Sequence, residues 1–352
     1  MSKVMHIGQR PVGEGYPCFI IAEAGVNHNG RLDLAKQLIE AAAHAGVDAV
    51  KFQTFKTEEV IIEGIEKAPY QKQTTGAEES QTQMIRKLEI GKELHLELVK
   101  HCKKNGIVFL STCYADYSLN LLKELDVPAF KIASMDTVNP MFLEKIAQTG
   151  KPAILATGMS SQAEVEAAYQ CLKANGCKEI ALLKCTSNYP TDFYEVNLRG
   201  MQTLREHFDA VIGFSDHTPG LGASPYAVAM GAKIVEKHFT VDKTLPGPDH
   251  QASLSPEELS LWVKEIRKVE EMLGNSTLEP TQSEYVTRKA MRRNLVAKGH
   301  LRTGDVITRA NIAAKRTGGK GMSSAEFYNV LGLKLTRDLA ADQPIDRSDL
   351  GK

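Results

Sequence analysis

Short apolar runs alternate with helix-period segments from residue 18 to residue 274. Each run is rich in β-branched residues, ends in one or two polar residues and is followed by a loop and an amphipathic segment. Eight such runs are predicted as strands: 18–22, 49–52, 107–110, 130–132, 153–155, 180–183, 211–214 and 234–235. Because apolar strands that alternate with helices form parallel sheets, the eight units predict an α/β fold, a closed (β/α)8 TIM barrel.

The last helix of this region carries the clearest boundary signals. Ser255 is a typical N-cap, Pro256 suits the first helical position, and Glu258 completes a capping box. The apolar stripe that follows contains Trp262, the only tryptophan of the chain, and Gly274 is placed to end the helix. We therefore assign residues 1–274 to the barrel.

The connection from residue 57 to about residue 81 is long and polar, unlike the other loops. Loops of this length are usually functional or disordered. Two interpretations remain open at this point: a lid over the mouth of the barrel, and a mobile surface insertion.

The pattern changes after Gly274. Residues 275–289 are predicted as a linker, and short strand and turn patterns follow, including 294–297 and 312–315. Residues 290–352 are therefore predicted to form a small β-rich C-terminal domain.

Composition narrows the function classes. Apolar residues make up 42% of the chain and charged residues 24%, which excludes a disordered protein. The 43 basic residues balance 43 acidic ones, so no global positive field favours nucleic acid or a membrane surface as a partner. Six scattered cysteines, with no signal peptide or membrane-spanning run, lead us to expect a cytoplasmic protein with buried thiols.

The predicted strands end in polar residues, which matters because barrel active sites lie at the carboxyl ends of the strands. Four lysines stand at such ends: Lys51, Lys131, Lys184 and Lys237. Buried ammonium groups need counter-charges. An internal ring of ion pairs with Glu23, Asp136, Asp216 and Glu236 would provide them, and so would an anionic ligand that carries phosphate or carboxylate.

Two histidines, His217 and His238, end neighbouring predicted strands. In a barrel their side chains would come within reach of one metal ion, with the remaining positions open to water or substrate oxygens. The sequence therefore predicts a metal site that depends on the barrel. The same pair would also serve a metallohydrolase, although the chain lacks the additional ligand cluster expected of one.

Five ordered motifs resemble the sialic acid synthase family. They are IIAEAGVNHNG from Ile20, VKFQT from Val50, GFSDH from Gly213, EKHFT from Glu236 and GPDH from Gly247. In the tail, Lys315-Arg316 before Gly318-Gly319-Lys320-Gly321 resembles the antifreeze-like (SAF) domain of that family. The resemblance runs along the whole chain.

The resemblance implies an enzyme that condenses phosphoenolpyruvate with an N-acetylated amino sugar aldehyde and releases phosphate. The sugar implied first is N-acetylmannosamine, which gives N-acetylneuraminate; the alternative is a 2,4-diacetamido-2,4,6-trideoxy sugar, which gives legionaminate. A divalent metal is implied at His217 and His238, Mn2+ first, with Mg2+ or Co2+ as alternatives. A reading of a different class is a non-catalytic carbohydrate-binding or antifreeze protein, suggested by the tail alone.

Individual roles follow from the same resemblance. Glu23 is the carboxylate expected beside the metal site and the sugar, and Arg316 is the arginine that the small domain of one subunit of a homodimer inserts into the barrel of the other. Substrate contacts are expected from Lys51, Gln53, Thr112, Lys131, Ser134, Asp136, Ser187, Tyr189, Ser215 and Asp249. The chain departs from many relatives at Asp136, Ala156 and Lys184, so the preference for a sugar is left open.

Overall fold

The structure is a computed structural model that describes residues 3–76 and 78–351. The chain divides after Gly274 into two compact units. In the described part of the chain, no helix has both the length and the apolar character that crossing a membrane requires. All six cysteines are free thiols; five are buried and Cys171 is half-buried. The predicted cytoplasmic location stays a prediction.

The first unit opens with an antiparallel hairpin of β1 (Val4–Ile7) and β2 (Arg10–Gly13) that the sequence patterns did not predict. Met5, Ile7 and Val12 are buried in a cluster with inward residues from the amino halves of the barrel strands, among them Phe19 and Ile154. The hairpin therefore closes the amino end of the barrel, and only the carboxyl end is left to form a cavity.

Eight parallel strands close into a barrel in the order β10-β3-β4-β5-β6-β7-β8-β9, which confirms the predicted fold. The strands are β3 (Phe19–Gly25), β4 (Ala49–Thr54), β5 (Val108–Cys113), β6 (Phe130–Ile132), β7 (Ala153–Ala156), β8 (Ile180–Cys185), β9 (Val211–Asp216) and β10 (Ile234–His238). Most of them continue beyond their predicted carboxyl ends, so the polar residues expected in loops belong to the strands. Strand alternation therefore decides which way these side chains point.

Helices cover the barrel. They are α1 (Leu32–Ala45), α2 (Thr57–Val60), α3 (Pro69–Thr75), α4 (Gln81–Arg86), α5 (Lys92–Lys104), α6 (Asp116–Glu124), α7 (Pro140–Ala147), α8 (Gln162–Ala174), α9 (Gly200–His207), α10 (Ser224–Ala229) and α11 (Pro256–Leu273). At the start of α11 the Ser255 hydroxyl accepts from the Glu258 N–H and the Glu258 carboxylate accepts from the Ser255 N–H, as the capping-box pattern predicts. Trp262 is fully buried in the core.

The long connection after β4 folds as α2, α3 and α4 and is not an irregular loop. Leu88, at its end, packs with Val26 and Phe55 in a cluster at the carboxyl end of the barrel. The structure therefore supports the lid interpretation, because side chains of this segment line the cavity.

The second unit contains α12 (Glu284–Met291), β11 (Arg293–Ala297), β12 (Ile312–Arg316), α13 (Phe327–Val330), β13 (Lys334–Leu335) and β14 (Leu350–Gly351). Two small antiparallel sheets, β11-β12 and β13-β14, surround an apolar core that includes Leu295, Ile307 and Ile345. The segment predicted as a linker contains most of α12. This helix was not predicted, because none of its residues is buried and the sequence therefore shows no apolar stripe there.

Candidate active site

A cavity of about 500 Å³ lies at the carboxyl end of the barrel. Every barrel strand contributes to its lining, from Glu23 of β3 to Glu236 of β10. Twelve of the predicted site residues line it: Glu23, Lys51, Gln53, Thr112, Lys131, Ser134, Ser187, Tyr189, Ser215, His217, His238 and Asp249. The arrangement is typical of barrel enzymes, whose reacting groups come from the ends of different strands.

Asp136, one of the predicted substrate contacts, is not among the residues that line the cavity, and its role stays a prediction. It lies in a 3-10 turn (Ser134–Asp136) after β6, and its Oδ1 accepts a hydrogen bond of 3.1 Å from Asn139 Nδ2. Strand alternation stops at Ile132, so Ser134 faces the cavity while Asp136 turns toward the start of α7. Burial raises the pKa of Asp136 to about 6.

Arg316 ends strand β12 of the second unit and is exposed there. It pairs in register with Arg293 across the β11-β12 sheet. Its predicted insertion into the barrel of another subunit stays a prediction.

The floor of the cavity is a buried network of alternating charges. Lys51 Nζ lies 2.6 Å from Glu23 Oε2 and 3.7 Å from Glu236 Oε2, and it donates to Thr112 Oγ1 at 2.7 Å. Lys131 Nζ lies 3.6 Å from Glu236 Oε1. These two lysines therefore fit both alternatives, the internal ion pairs and the anionic ligand, because they have internal counter-charges and also line the cavity.

Burial shifts the protonation of this network. It raises the pKa of Glu23, although Lys51 opposes the shift. Burial also lowers the pKa of Lys131. At Glu236 burial alone would raise the pKa, but Lys131 and Lys51 outweigh it and the pKa is lowered. Glu23 is therefore the acid of the floor that is easiest to protonate, a property of groups that transfer protons.

Hydroxyl groups surround the two lysines. Ser215 Oγ donates to Glu236 Oε1 at 3.2 Å, and Ser134 Oγ accepts from the Gly158 N–H at 3.0 Å. A Cβ on Gly158 would lie 2.2 Å from Ser187 Oγ and 2.8 Å from Ser134 Oγ. Any larger residue at this position would therefore displace the two hydroxyl groups. Two ammonium groups with several hydroxyl donors form a site for a small, strongly charged anion.

His217 and His238 lie side by side, with ring centroids 5.7 Å apart. His217 Nδ1 donates to the Thr186 carbonyl oxygen at 2.7 Å, which leaves Nε2 as the nitrogen with a free lone pair. His238 Nδ1 is buried without a hydrogen-bond partner among the described residues, and burial holds the pKa of this imidazole well below its usual range. At His217 burial alone would lower the pKa, but the neighbouring Cys185 thiol raises it. In their neutral forms the two imidazoles would fit a divalent metal whose other positions take water or substrate oxygens; no group of three protein ligands occurs in the described residues.

Gly25 lets the acid and the histidine approach each other. Its backbone φ is +54°, and a Cβ there would lie 3.4 Å from both Glu23 Oε1 and His238 Cε1 and 3.3 Å from Gln53 Nε2. Gln53 donates from Nε2 to Glu23 Oε1 at 3.0 Å. The carboxylate of Glu23 is thus held between Gln53 and Lys51 beside the imidazole of His238.

Cys185, which the sequence did not single out as a site residue, lies 3.8 Å from His217 Nδ1 through its Sγ. Burial alone would raise the pKa of this thiol, but His217 and Lys131 lower it to about 7. The Tyr189 ring packs against the His217 ring at an interplanar angle of 35°, with centroids 4.1 Å apart, and lies 5.2 Å from the ring of Tyr70 in α3. The aromatic column connects the segment after β4 to the candidate metal ligands.

The four strand-end lysines separate into two pairs. Lys51 and Lys131 line the cavity, but Lys184 and Lys237 do not. Lys237 pairs with Asp216 at 3.3 Å, and Lys184 donates to the Cys185 carbonyl oxygen at 3.0 Å. The expectation that all four face an anionic ligand is therefore wrong for these two, because their strand neighbours Glu236, His238 and Cys185 occupy the inward positions.

Sequence reasoning missed several lining residues. Glu236 was considered only as a counter-charge, although its position two residues before His238 places both on the same face of β10. The apolar lining from Val26, Phe55, Met84, Ile85 and Leu88 gave no signal, because these residues are far apart in the sequence and occupy loops and a short helix.

Comparison with known proteins gives concordant matches. The model of the NeuB family matches residues 38–277, and that of the SAF domain matches residues 292–351. The N,N'-diacetyllegionaminic acid synthase of Campylobacter jejuni subsp. jejuni is 45% identical over 93% of this chain and 98% of that protein. The synthase with the same name from Legionella pneumophila subsp. pneumophila is 41% identical over 95% of each chain.

A solved structure agrees with these matches. The N-acetylneuraminic acid (sialic acid) synthetase of Leptospira borgpetersenii, in complex with citrate, superimposes with a TM-score of 0.72 and 36% sequence identity. The match covers 83% of this chain and 98% of that chain.

Proposed function

This chain belongs to the NeuB family, and we propose that it condenses phosphoenolpyruvate with an N-acetylated amino sugar aldehyde to a nine-carbon 2-keto acid. The resemblance to sialic acid synthases and the prediction of a phosphoenolpyruvate-using synthase are confirmed by the family. The non-catalytic carbohydrate-binding alternative is therefore wrong. The observation that carries the proposal is the meeting of Lys51, Lys131, Glu23 and the two histidines in one cavity.

The anion subsite takes phosphoenolpyruvate. Lys51 and Lys131 neutralise its phosphate and carboxylate, and Thr112, Ser134 and Ser215 donate hydroxyl hydrogen bonds. Glu23 and Glu236 lose part of their pairing with the lysines when the ligand binds. The electron-rich C3 of the enol then forms the new bond to the aldehyde carbon, water adds at C2, and the C2–O bond breaks with release of phosphate.

Glu23 moves a proton in this scheme. Its carboxyl is buried, its pKa is raised, and Gln53 and Lys51 fix its position beside His238. A protonated Glu23 donates to the aldehyde oxygen as that oxygen gains negative charge. His217 and His238 would hold a divalent metal, for which Mn2+ is the first candidate. When bound, the metal would polarise the same aldehyde as a Lewis acid.

For the sugar, the two most informative relatives are N,N'-diacetyllegionaminic acid synthases, and they favour a 2,4-diacetamido-2,4,6-trideoxymannose substrate. The family resemblance of the sequence implies N-acetylmannosamine first. This sugar becomes the second candidate, supported by the match to a sialic acid synthetase structure. Asp249 and Tyr189 lie in the outer part of the cavity, where they are available to sugar hydroxyl or amide groups.

The test is phosphate release from phosphoenolpyruvate with Mn2+ and each of the two sugars, with the product identified by mass. We expect turnover with at least one sugar, a higher kcat/KM for the diacetamido sugar, and loss of turnover on chelation that added Mn2+ restores. Folded, metal-loaded protein that releases no phosphate with either sugar would overturn the proposal.

We also propose a homodimer in which the Arg316 of one subunit acts at the cavity of the other. Two observations support it: Arg316 is exposed on its own unit, and the segments after β6, β7 and β8, including the start of α7, carry exposed apolar side chains. These side chains are Met135, Val138, Met141, Met159, Phe193 and Tyr194.

Mixing two inactive variants tests this arrangement. Arg316→Ala and His238→Ala should each lose activity, and co-refolded mixtures should recover up to about a quarter of it, because one site in a mixed dimer is intact. Absence of recovery in mixtures that form mixed dimers would show that Arg316 acts within its own chain or not at all.

A further inference from the structure

The outer half of the cavity has two unlike sides. On the side of β8 to β10 it stays polar, with Ser187, Tyr189 and Asp249 above Cys185 and His217. On the side of β3 to β5 the lining becomes more apolar: Val26 follows Glu23, Phe55 follows Gln53, and Tyr114, an aromatic ring that keeps a hydroxyl group, follows Thr112. The change occurs within three residues of each polar group, so it marks a boundary along the barrel axis.

The segment after β4 contributes polar and apolar side chains to the lining. Its polar lining residues Tyr70, Gln71 and Gln81 hydrogen-bond to one another, and its apolar side chains extend the apolar side. Met84 and Ile85 of α4 and the following Leu88 line the cavity beside Val26 and Phe55. We name these five residues, Val26, Phe55, Met84, Ile85 and Leu88, the apolar wall. Val26, Phe55 and Leu88 pack in one cluster with Val60, Ile85 and Tyr114, and the Phe55 and Tyr114 rings meet edge to face at 6.1 Å.

Polar contacts on the outer side of the segment hold the wall in place. Glu89 accepts from the Thr57 N–H at 2.8 Å, from the Thr57 hydroxyl and from Lys56 Nζ, so it ties the end of the segment to its beginning. The side chain of Lys67 is almost fully buried and donates to the Thr75 and Gly76 carbonyl oxygens at the end of α3. Thr74 Oγ1 donates to the Pro248 carbonyl oxygen across the mouth. The wall is therefore preformed.

We propose that the apolar wall selects the sugar by contacting methyl groups at the end of the molecule that does not react. This inference rests on the proposed function and specifies its substrate class: an amino sugar aldehyde whose far end carries methyl groups in place of hydroxyl groups. The reacting carbon belongs at the polar floor beside Glu23, so the remainder of the sugar extends outward between the wall and Asp249.

The physical reason is unequal solvation. Transfer of a methyl group from water to an apolar surface is favourable. A hydroxyl group placed there loses its hydrogen bonds to water, and the wall does not replace them. Each such difference changes the selection between two substrates by about 10- to 200-fold. A deoxy carbon and an acetamido methyl group satisfy this wall, and a primary alcohol does not.

Two substitutions from different parts of the wall test the proposal: Val26→Thr after β3, which is nearly isosteric, and Ile85→Thr on α4, which also shortens the side chain by one carbon. Arg86→Gln is the control, since Arg86 is the next residue on α4 and is exposed. For each variant, kcat/KM is measured with 2,4-diacetamido-2,4,6-trideoxymannose and with N-acetylmannosamine, together with the KM for phosphoenolpyruvate and the melting temperature.

The unaltered enzyme should prefer the diacetamido sugar. Each threonine variant should reduce the ratio of the two kcat/KM values about tenfold, with the KM for phosphoenolpyruvate unchanged, while Arg86→Gln leaves the ratio within twofold. If one threonine variant fails to fold, the other decides.

Active threonine variants with an unchanged ratio would overturn the role of the wall and leave the proposed function standing, and so would an unaltered enzyme that prefers N-acetylmannosamine. An unaltered enzyme that turns over neither sugar would overturn the proposed function itself.

Discussion

Lys131 and Lys237 occupy the inner and outer surfaces of the same barrel, and their ion pairs differ in how completely they are satisfied. Inside, Lys131 lies 3.6 Å from Glu236, whose Oε2 has no hydrogen-bond partner among the described residues. Outside, Lys237 pairs with Asp216, which also accepts hydrogen bonds from the backbone or hydroxyl groups of Thr218, Ala223 and Ser224.

The difference teaches how to separate a functional charge from a structural one in this barrel. The outer pair, buried between the strands and α10, has no buried side-chain atom without a hydrogen-bond partner among the described residues. Gly222 packs so closely on it that a Cβ there would lie 2.8 Å from Asp216 Oδ2 and 2.9 Å from Lys237 Nζ. The inner groups keep unused hydrogen-bonding capacity beside a cavity. Incomplete satisfaction of a buried charge is costly, and a ligand that completes it recovers that free energy on binding.

The largest effect is expected on the inner surface, at His238. His238→Ala should reduce turnover at least a thousandfold and weaken Mn2+ binding, with little loss of fold, because the buried Nδ1 has no partner to lose. Steady-state phosphate release, Mn2+ titration and a thermal melt check it. Unchanged kcat would remove the metal assignment.

Lys131→Met is the next inner test. Loss of one charge-assisted contact to phosphoenolpyruvate should lower kcat/KM for this substrate about 100-fold, equivalent to about 2.8 kcal/mol. The melting temperature should change little, because Lys51 still faces Glu236. A large loss of stability with normal affinity for phosphoenolpyruvate would contradict the assignment of Lys131 to the ligand.

Lys237→Met is the matched outer variant, with the same change of side chain. It leaves Asp216 buried without its counter-charge, and we expect the free energy of unfolding to fall by about 3 kcal/mol. The KM for phosphoenolpyruvate should stay unchanged in the folded fraction. Denaturant unfolding and steady-state kinetics measure the two effects, and the reverse outcome would erase the distinction between the two surfaces.

Asp249 tests the outer part of the cavity through pH. Burial and the charge of Glu23 raise its pKa from 3.8 to about 7. The folded state therefore binds more protons than the unfolded state between these values, so this group stabilises the fold at low pH, and that stabilisation is lost as the pH rises toward 7. Asp249→Asn lacks this penalty.

The melting temperature of Asp249→Asn, compared with that of the unaltered protein, should therefore rise progressively between pH 4 and pH 8. Sugar KM should increase in the same variant, because the contact of the Asp249 carboxyl with sugar hydroxyl or amide groups is altered. A pH-independent difference in melting temperature would show that Asp249 is ionised throughout this range.

The smallest effect is expected at Lys184. Among the described residues, its amino group hydrogen-bonds to the Cys185 carbonyl and the Thr186 hydroxyl, and its stem lies against Gly200 at the start of α9. Lys184→Met should change kcat/KM less than threefold and the free energy of unfolding by about 1 kcal/mol or less. An effect as large as that of Lys131→Met would place Lys184 in the active site after all.

Much of the site was predictable because its residues stand at the ends of recognisable strands. Lys51, Thr112, Ser215 and His238 needed only the barrel to bring them together. Asp136 follows a strand of only three residues, and a turn, not strand alternation, sets its direction, so its position away from the cavity lining could not be predicted.

The sequence by itself determined the barrel, the capped final helix, the family and the residue types at the mouth, because period-two and period-3.6 patterns and ordered motifs are local. Only the tertiary structure decided which lysines face inward, since the polar ends of the strands become strand residues through pairing with neighbours distant in sequence. It also decided the apolar wall. Val26, Phe55 and Ile85 share no local period, and burial against one another is what makes them a surface.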